Sequence, residues 1–262
     1  MPGRGIPVVL TSGTLSAGGY FTHAKRNLGL SKLPPHLLSE TTQPSPFDYR
    51  SNTLLYISRT VPFLDNRDVH YIEAVTDELE RLIIASHGHA AVLFTSYRAM
   101  DMVFERLAAR GLPFPLFRLD RSGTSAIKQF RDSGNGVLLA SGGMWEGIDL
   151  PGDILSLLVI VKLPFAVPDP VRDYERTLYQ STKEYINHAI VPDMLVKLIQ
   201  GFGRLIRTLT DSGVVAILDS RIRETGAYRD IVLRALPPCS VTSSADTVRK
   251  FFEDKKTPDY FD

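Results

Sequence analysis

A glutamine and two arginines in the carboxyl-terminal third of the chain have the types and the spacing to bind a polyphosphate. Gln200, Arg204 and Arg207 fall at i, i+4 and i+7 of a segment whose apolar residues recur at helical spacing, so the three share one helix face. A guanidinium stays charged and pairs with phosphate oxygens in a bidentate manner. Gly201 and Gly203 lie between them, and each costs about 1 kcal/mol in a helix interior relative to alanine. Close approach of another backbone or of a ligand would offset that cost, and a surface helix with solvated arginines is the alternative.

A second set of candidate residues follows the continuous apolar run at 137–141. The sequence there reads GGMWEGIDLPG, in which Glu146 and Asp149 are carboxylates three residues apart and Trp145 is the only tryptophan of the chain. Acid–base hydrolysis by this pair is disfavoured, because neither a nucleophile nor a base histidine accompanies the carboxylates. The residues alone therefore leave the role of this loop open.

The order Q-x-x-G-R-x-x-R at 200–207 resembles motif VI of superfamily two helicases, in the branch that contains DinG and the XPD-like DNA helicases. Further segments resemble motifs of the same family in the same order: LTSGTL resembles motif III, LFTSYRAM motif IV and WEGIDLPG motif V. Gly13 stands where motif III usually has alanine. The resemblance spans nearly the whole chain, and it implies either a housekeeping repair DinG or a CRISPR-associated DinG relative as the parent protein.

The resemblance implies a role for each of these residues. Arg204 and Arg207 would reach from a second motor lobe to an ATP bound on the first, one of them as an arginine finger that stabilises charge on the γ-phosphate in the transition state. Gln200 would contact the nucleotide or its attacking water. The residues implied for nucleotide binding or for coupling to DNA are Glu146, Gly147, Asp149 and Gly203. Those implied for contact with DNA are Ser96, Tyr97, Arg98, Trp145, Lys162 and Arg172.

Several of the DNA-side residues also have a structural explanation. Ser96 precedes a predicted helix, where its hydroxyl would suit either a phosphate or the helix cap. Trp145 would also suit the core. Lys162 and Arg172 would also be ordinary solvated charges.

The elements that must position these residues alternate along the chain. Short apolar runs predict strands at 6–11, 53–58, 91–95, 114–119, 137–141, 154–163 and 214–218, and apolar stripes predict helices that include 69–86, 171–189 and 192–207. This alternation predicts an α/β fold, a RecA-like three-layer α/β/α domain with a mostly parallel sheet of about seven strands. His87 and His89 lack further ligands at a suitable spacing, so the sequence predicts a solvated helix terminus there and no metal site.

Composition bears on the environment in which the protein works more than on its function. The 30 Lys and Arg nearly balance the 29 Asp and Glu, so any DNA contact must come from a local patch. The single cysteine, Cys239, excludes an internal disulfide framework and a cysteine-ligated cluster. The chain has no apolar run long enough to span a bilayer and no signal peptide, which predicts a soluble, cytoplasmic protein without a membrane partner.

Two sequence signatures of nucleotide enzymes are missing from the chain. It contains no P-loop, G-x-x-x-x-G-K-[ST], and no acidic partner motif that holds magnesium, since Asp77 and Glu78 lie within a predicted helix and not at a strand end. A Rossmann-type oxidoreductase is excluded as well, because GTLSAGG does not supply G-x-G-x-x-G. The expected organisation is the end of a first motor lobe with a connector at 1–52, a RecA-like helicase domain 2 at 53–236, and a tail with a short helix at 237–262.

The sequence therefore predicts the second lobe of an ATP-dependent DNA helicase that moves 5′ to 3′ along single-stranded DNA. This lobe would supply the arginine finger, the loop that couples ATP to DNA and part of the DNA-binding surface. Its partners would be single-stranded DNA and a first motor lobe, which would bind most of the ATP and Mg²⁺. No iron–sulfur cluster is expected in this chain, and by itself the chain is expected to be inactive toward ATP. The alternative is a non-catalytic nucleic-acid-binding or regulatory module derived from a helicase lobe.

Overall fold

The computed structural model describes residues 7–16, 20–119, 124–142, 150 and 152–262, and the chain divides into two compact units. The first unit comprises Met1–Gln43 and Phe165–Val196. The second comprises Pro44–Pro164 and Lys197–Asp262. The second unit contains most of the candidate residues.

A parallel sheet forms the centre of the second unit. Its strands are β1 (Thr53–Ile57), β2 (Ala90–Phe94), β3 (Leu116–Arg118), β4 (Val137–Ser141), β5 (Leu157–Ile160), β6 (Gly213–Ile217) and β7 (Ser240–Thr242). Within the described residues these seven strands pair in the order β3-β4-β2-β5-β6-β1-β7, and all pairs are parallel. Every residue of β1, β2, β4, β5 and β6 is buried, as expected where helices cover both faces of a parallel sheet. This confirms the predicted RecA-like α/β fold.

Helices alternate with the strands along the chain. They are α1 (Thr22–Asn27), α2 (Tyr49–Asn52), α3 (Val69–Ala85), α4 (Tyr97–Arg110), α5 (Thr124–Ser133), α6 (Pro170–Thr177), α7 (Thr182–Tyr185), α8 (Val191–Phe202), α9 (Arg229–Ala235) and α10 (Ala245–Lys255). The helices α3, α4 and α10 pack on one face of the sheet, against alternate strand residues such as Leu54, Val92 and Val214. No helix in the described ranges is both long and apolar enough to cross a membrane.

The first unit is held together by polar contacts between its helices. Arg172 of α6 pairs with Asp193 of α8, and with Glu175 at 3.0 Å. The His23 ring of α1 lies 2.7 Å from the other oxygen of the Asp193 carboxylate. Arg26 of α1 donates to a backbone carbonyl of the π-helical turn Ile186–Ile190.

The predicted strand at 6–11 is wrong for the part that the structure describes. Residues 7–12 are exposed and pair with none of the described strands, and a strand requires a neighbour for its backbone groups. A strand appears instead in the tail, where the sequence predicted an irregular exit and a short helix. β7 pairs with β1 from Ser240 to Thr242, and Phe252 of α10 is fully buried.

The single helix predicted at 171–189 is divided into three pieces. α6 ends at Thr177, and α7 begins after Ser181, whose hydroxyl accepts the N–H of Glu184 at 3.1 Å. A serine that caps a new helix favours a break in the preceding one. The π-helical turn at Ile186–Ile190 follows directly.

The prediction of a solvated terminus at His87 and His89 is wrong for the second histidine. The His89 ring stacks on Tyr260 with centroids 4.0 Å apart, and its Nε2 lies 3.1 Å from the Tyr260 carbonyl oxygen. Burial lowers the pKa of His89, so the neutral ring that donates to this carbonyl is favoured. His89 therefore joins the end of the chain to the start of β2.

Candidate functional site

The segment with the two candidate arginines leaves the helix earlier than the sequence predicts. α8 ends at Phe202, and the next residues form a turn in which Arg204 N–H donates to the Gly201 carbonyl at 3.1 Å. Gln200 therefore lies in the last helical turn, whereas Arg204 lies in the turn and Arg207 in the loop beyond it. The prediction that the three share one helix face is wrong. The helical spacing of apolar residues suggested a longer helix, because Leu205 is buried although it lies in the turn after α8.

The loop after this turn is organised by the carboxylate of Asp211. One carboxylate oxygen accepts the N–H groups of Arg207 at 2.7 Å and Thr208 at 2.8 Å, and the other accepts the Thr208 hydroxyl at 2.7 Å. Asp211 is 8% exposed, whereas Arg207 is an exposed residue. Burial opposes ionisation of Asp211, but the hydrogen bonds outweigh it and lower the pKa of the carboxyl. The loop thus has a fixed backbone from which the Arg207 side chain projects.

Gly203 and Gly213 have different surroundings. A methyl group on Gly203 would lie 3.4 Å from the Ile199 carbonyl oxygen, so the described chain brings no backbone close enough to exclude a side chain there. Of the two reasons expected for a glycine at this position, approach of a ligand is the one that the described chain leaves. A methyl group on Gly213 would lie 2.4 Å from the Ser156 carbonyl oxygen and 2.8 Å from Leu205. Gly213 is therefore required for the loop to pack where β6 begins.

A lysine from the last helix supports the same loop. The Lys256 ammonium donates to the Ser212 carbonyl at 2.8 Å and to Asp153 at 2.5 Å, and only 4% of its side chain is exposed. Both partners precede the first residues of β6 and β5. This cluster therefore lies at the amino-terminal edge of the sheet.

The described residues of the second unit that were proposed to contact DNA lie at the opposite edge, where the parallel strands end. Ser96 follows β2 and caps α4 by accepting the Ala99 N–H at 3.3 Å, which is the structural role that the sequence left open. Tyr97 lies against Gly142 at the end of β4: a methyl group on Gly142 would be 2.7 Å from the tyrosine hydroxyl. Tyr97 and Arg98 are both exposed. The structure thus brings the motif IV segment against Gly142, three residues before the motif V segment.

Of the motif V segment, only Leu150 and Gly152 are among the described residues. Trp145, Glu146, Gly147 and Asp149 lie outside them. Their predicted roles stay predictions.

Lys162, after β5, is half-buried among aromatic rings at the same carboxyl edge. Its ammonium donates to the Leu64 carbonyl at 2.8 Å and lies 4.4 Å from the centre of the Tyr71 ring. Burial lowers the pKa of Lys162. Next to it, Arg221 pairs with Asp219, which also accepts the Leu163 N–H at 2.9 Å.

Asp219 and Arg221 were missed by the sequence reasoning. The signal that could have found them is the sequence LDSR directly after a buried parallel strand, because polar groups at strand ends gather at one edge. Arg172, by contrast, belongs to the first unit, where it pairs with Asp193 and Glu175. A phosphate at Arg172 would have to compete with these two carboxylates.

Comparison with known proteins agrees with this architecture. The helicase C-terminal domain family matches residues 79–239 of the chain. The chain is 32% identical over 249 residues to the ATP-dependent DNA helicase YoaA of Haemophilus influenzae, an alignment that covers 94% of this chain and 38% of that protein. It is also 32% identical over 243 residues to the ATP-dependent helicase DinG of Mycobacterium tuberculosis, covering 92% of this chain and 36% of that protein.

A solved XPD helicase shares the fold, with a TM-score of 0.57 at 24% identity over 73% of this chain and 36% of that one. The chain therefore spans little more than a third of the length of these relatives. Since the family match covers more than half of its residues, the chain belongs to the helicase C-terminal domain family, together with the relatives named DinG and YoaA.

Proposed function

We propose that this chain is the second motor lobe of an ATP-dependent DNA helicase and completes an ATP site that is held mainly by a first lobe. The loop fixed by Asp211 carries this proposal. It combines an exposed arginine on a fixed backbone with a neighbouring Gly203 that no part of the described chain crowds. A preorganised cation costs little reorganisation when charge develops on a transferred phosphoryl group.

In this function Arg204 and Arg207 bind the phosphates of the nucleotide, and one of them acts as the arginine finger. Gln200, in the last turn of α8, contacts the nucleotide or the attacking water. Among the described residues no group of three or more His, Cys, Asp or Glu side chains could hold a metal ion, and the family resemblance assigns Mg²⁺ to the first lobe. ATP and Mg²⁺ supply the phosphoryl-transfer chemistry, and this chain supplies positive charge.

Single-stranded DNA is the proposed substrate of the carboxyl edge, with translocation from 5′ to 3′. Support for DNA comes from Tyr97, Arg98 and Lys162, which follow the neighbouring strands β2 and β5. Aromatic and cationic groups along one edge are the combination that binds single strands. Glu146, Gly147 and Asp149 are proposed to couple nucleotide binding and hydrolysis to DNA binding at this edge.

The test is steady-state ATP hydrolysis by the two-lobed helicase with saturating single-stranded DNA. Arg204→Ala and Arg207→Ala should be compared with Arg249→Ala, a control on α10 whose side chain is 55% exposed. Loss of the arginine finger should lower kcat on the order of 10³-fold, and the control should keep full activity.

A folded Arg204→Ala, Arg207→Ala double variant that hydrolyses ATP at the wild-type rate would refute the nucleotide role. If that enzyme also keeps its DNA affinity, the non-catalytic nucleic-acid-binding module becomes the better description of this chain.

A further inference from the structure

An exposed phenylalanine lies beside Lys162 on a loop that is held on both sides. Phe63 belongs to the loop between β1 and α3, and 56% of it is exposed. The carbonyl two residues before it, of Val61, accepts from Arg223, and the carbonyl directly after it, of Leu64, accepts from Lys162 at 2.8 Å. The exposed ring is therefore presented by a fixed backbone.

Two cations flank this ring. The Arg221 guanidinium lies 4.8 Å from the ring centre and the Lys162 ammonium 5.3 Å from it. Arg221 is paired with Asp219, and the carboxylates of Asp219 and Asp65 also act electrostatically on the Lys162 ammonium. An ammonium has three donors and the Leu64 carbonyl uses one. The Lys162 ammonium thus has two donors besides the one that Leu64 uses.

Phe63 lies on the same edge of the sheet as Tyr97. The Phe63 ring lies beside Lys162, which follows β5, and beside Arg221, which follows β6, whereas Tyr97 follows β2, the other neighbour of β5. In the strand order β2-β5-β6, Lys162 therefore follows the strand between those that precede Tyr97 and Arg221.

We propose that Phe63 and Tyr97 are the two base-stacking platforms of one single-strand track, with Lys162 holding a phosphate between them. Aromatic rings bind bases of any sequence through their faces, and cations bind the backbone. The track lies across the carboxyl edge of the sheet and is lined by Tyr97, Lys162 and Phe63 in that order. The inference rests on the proposed function for its ligand, single-stranded DNA.

The experiment is fluorescence anisotropy of the full chain with a labelled oligothymidylate at low salt, repeated with the same strand carrying abasic sites. Phe63→Ala should weaken binding to oligothymidylate about five-fold or more. It should weaken binding to the abasic strand far less, because the lost contact is to a base. Phe63→Trp should restore the affinity, since it restores the aromatic face.

Two further variants separate stacking from charge and from general loss of apolar surface. Lys162→Gln should reduce the slope of log K against log[salt] by about 0.7, whereas Phe63→Ala should leave that slope unchanged. Ile84→Ala is the matched control, because Ile84 is 54% exposed at the far end of α3, and it should bind like wild type. Thermal unfolding of each variant shows that the fold is intact.

The inference is overturned if Phe63→Ala binds oligothymidylate as tightly as the wild-type chain, or if it loses as much affinity for the abasic strand. It is also overturned if the wild-type chain does not bind oligothymidylate at low salt. None of these results affects the test of Arg204 and Arg207, which measures ATP hydrolysis.

Discussion

The ionised carboxylate of Asp211 sets the conformation of the loop that carries Arg207. Both of its oxygens accept hydrogen bonds, two from backbone N–H groups and one from the Thr208 hydroxyl. An amide cannot accept with both ends, so Asp211→Asn should lower the free energy of unfolding by about 1–3 kcal/mol at neutral pH. Urea unfolding of the two proteins measures this difference.

The effect of Asp211 should depend on pH in one direction. Because its pKa is lowered in the folded state, its stabilisation is present above the unfolded value of about 3.9 and is lost as the pH falls through the folded pKa. The gap between wild type and Asp211→Asn should therefore shrink as the pH falls from about 5 to about 2. A gap that stays constant over this range would show that the carboxylate charge does not stabilise the loop.

Gly203 allows folding and function to be separated. A methyl group fits there at 3.4 Å from its nearest neighbour, so Gly203→Ala should leave the stability unchanged or raise it by up to about 1 kcal/mol. If a nucleotide packs against Gly203, the same variant should slow ATP hydrolysis by the two-lobed helicase. Unchanged hydrolysis would mean that the glycine is not there to admit a ligand.

At the residue scale the sequence identified charged side chains but not their anchors. An aspartate in a short loop has the same pattern whether it is solvated, like a typical surface acid, or buried like Asp211 and Asp219. The difference arises from backbone N–H groups that converge on the carboxylate only after folding. The spacing of residues along the sequence does not show which N–H groups will converge on a carboxylate.

Among the elements, the start of α4 packs closely against the end of β4. Gly142 has a φ of 74°, and a methyl group there would lie 2.7 Å from the Tyr97 hydroxyl. Gly142→Ala should therefore destabilise the protein by about 1–3 kcal/mol, through the left-handed backbone and the clash together. Urea unfolding of this variant measures the combined effect of the backbone strain and the clash.

A double-mutant cycle separates the two causes. Tyr97→Ala removes the clash but leaves the backbone strain, so the Gly142→Ala effect should become smaller, and not vanish, when Tyr97 is alanine. Additive effects of the two substitutions would show that the tyrosine does not lie against Gly142.

Element types could be predicted from the sequence better than element ends. The buried strands β1, β2, β4 and β6 lie within two residues of their predicted bounds because they are continuous apolar runs. The end of α8 was missed, because Leu205 and Ile206 preserve the helical period from outside the helix. β7 was missed because its residues are partly exposed and its only described neighbour is β1.

In the second unit as a whole, the tail at 237–262 contributes to the hydrophobic core. Phe252 is fully buried beside β1 and α3, whereas its neighbour Phe251 is only partly buried. Phe252→Ala should lower the free energy of unfolding by about 3–5 kcal/mol, and Phe251→Ala should have a clearly smaller effect. Equal effects in urea unfolding would contradict the packing of α10 described above.

The central claim is that this chain is one half of an ATPase. The most direct measurement is ATP hydrolysis with saturating single-stranded DNA, by the purified chain alone and by the helicase in which it is joined to a first motor lobe. The account predicts that the chain alone is inactive and that the two-lobed protein turns over ATP in a manner abolished by Arg204→Ala. ATP turnover by the chain alone, at a rate comparable to that of the two-lobed protein, would contradict the account.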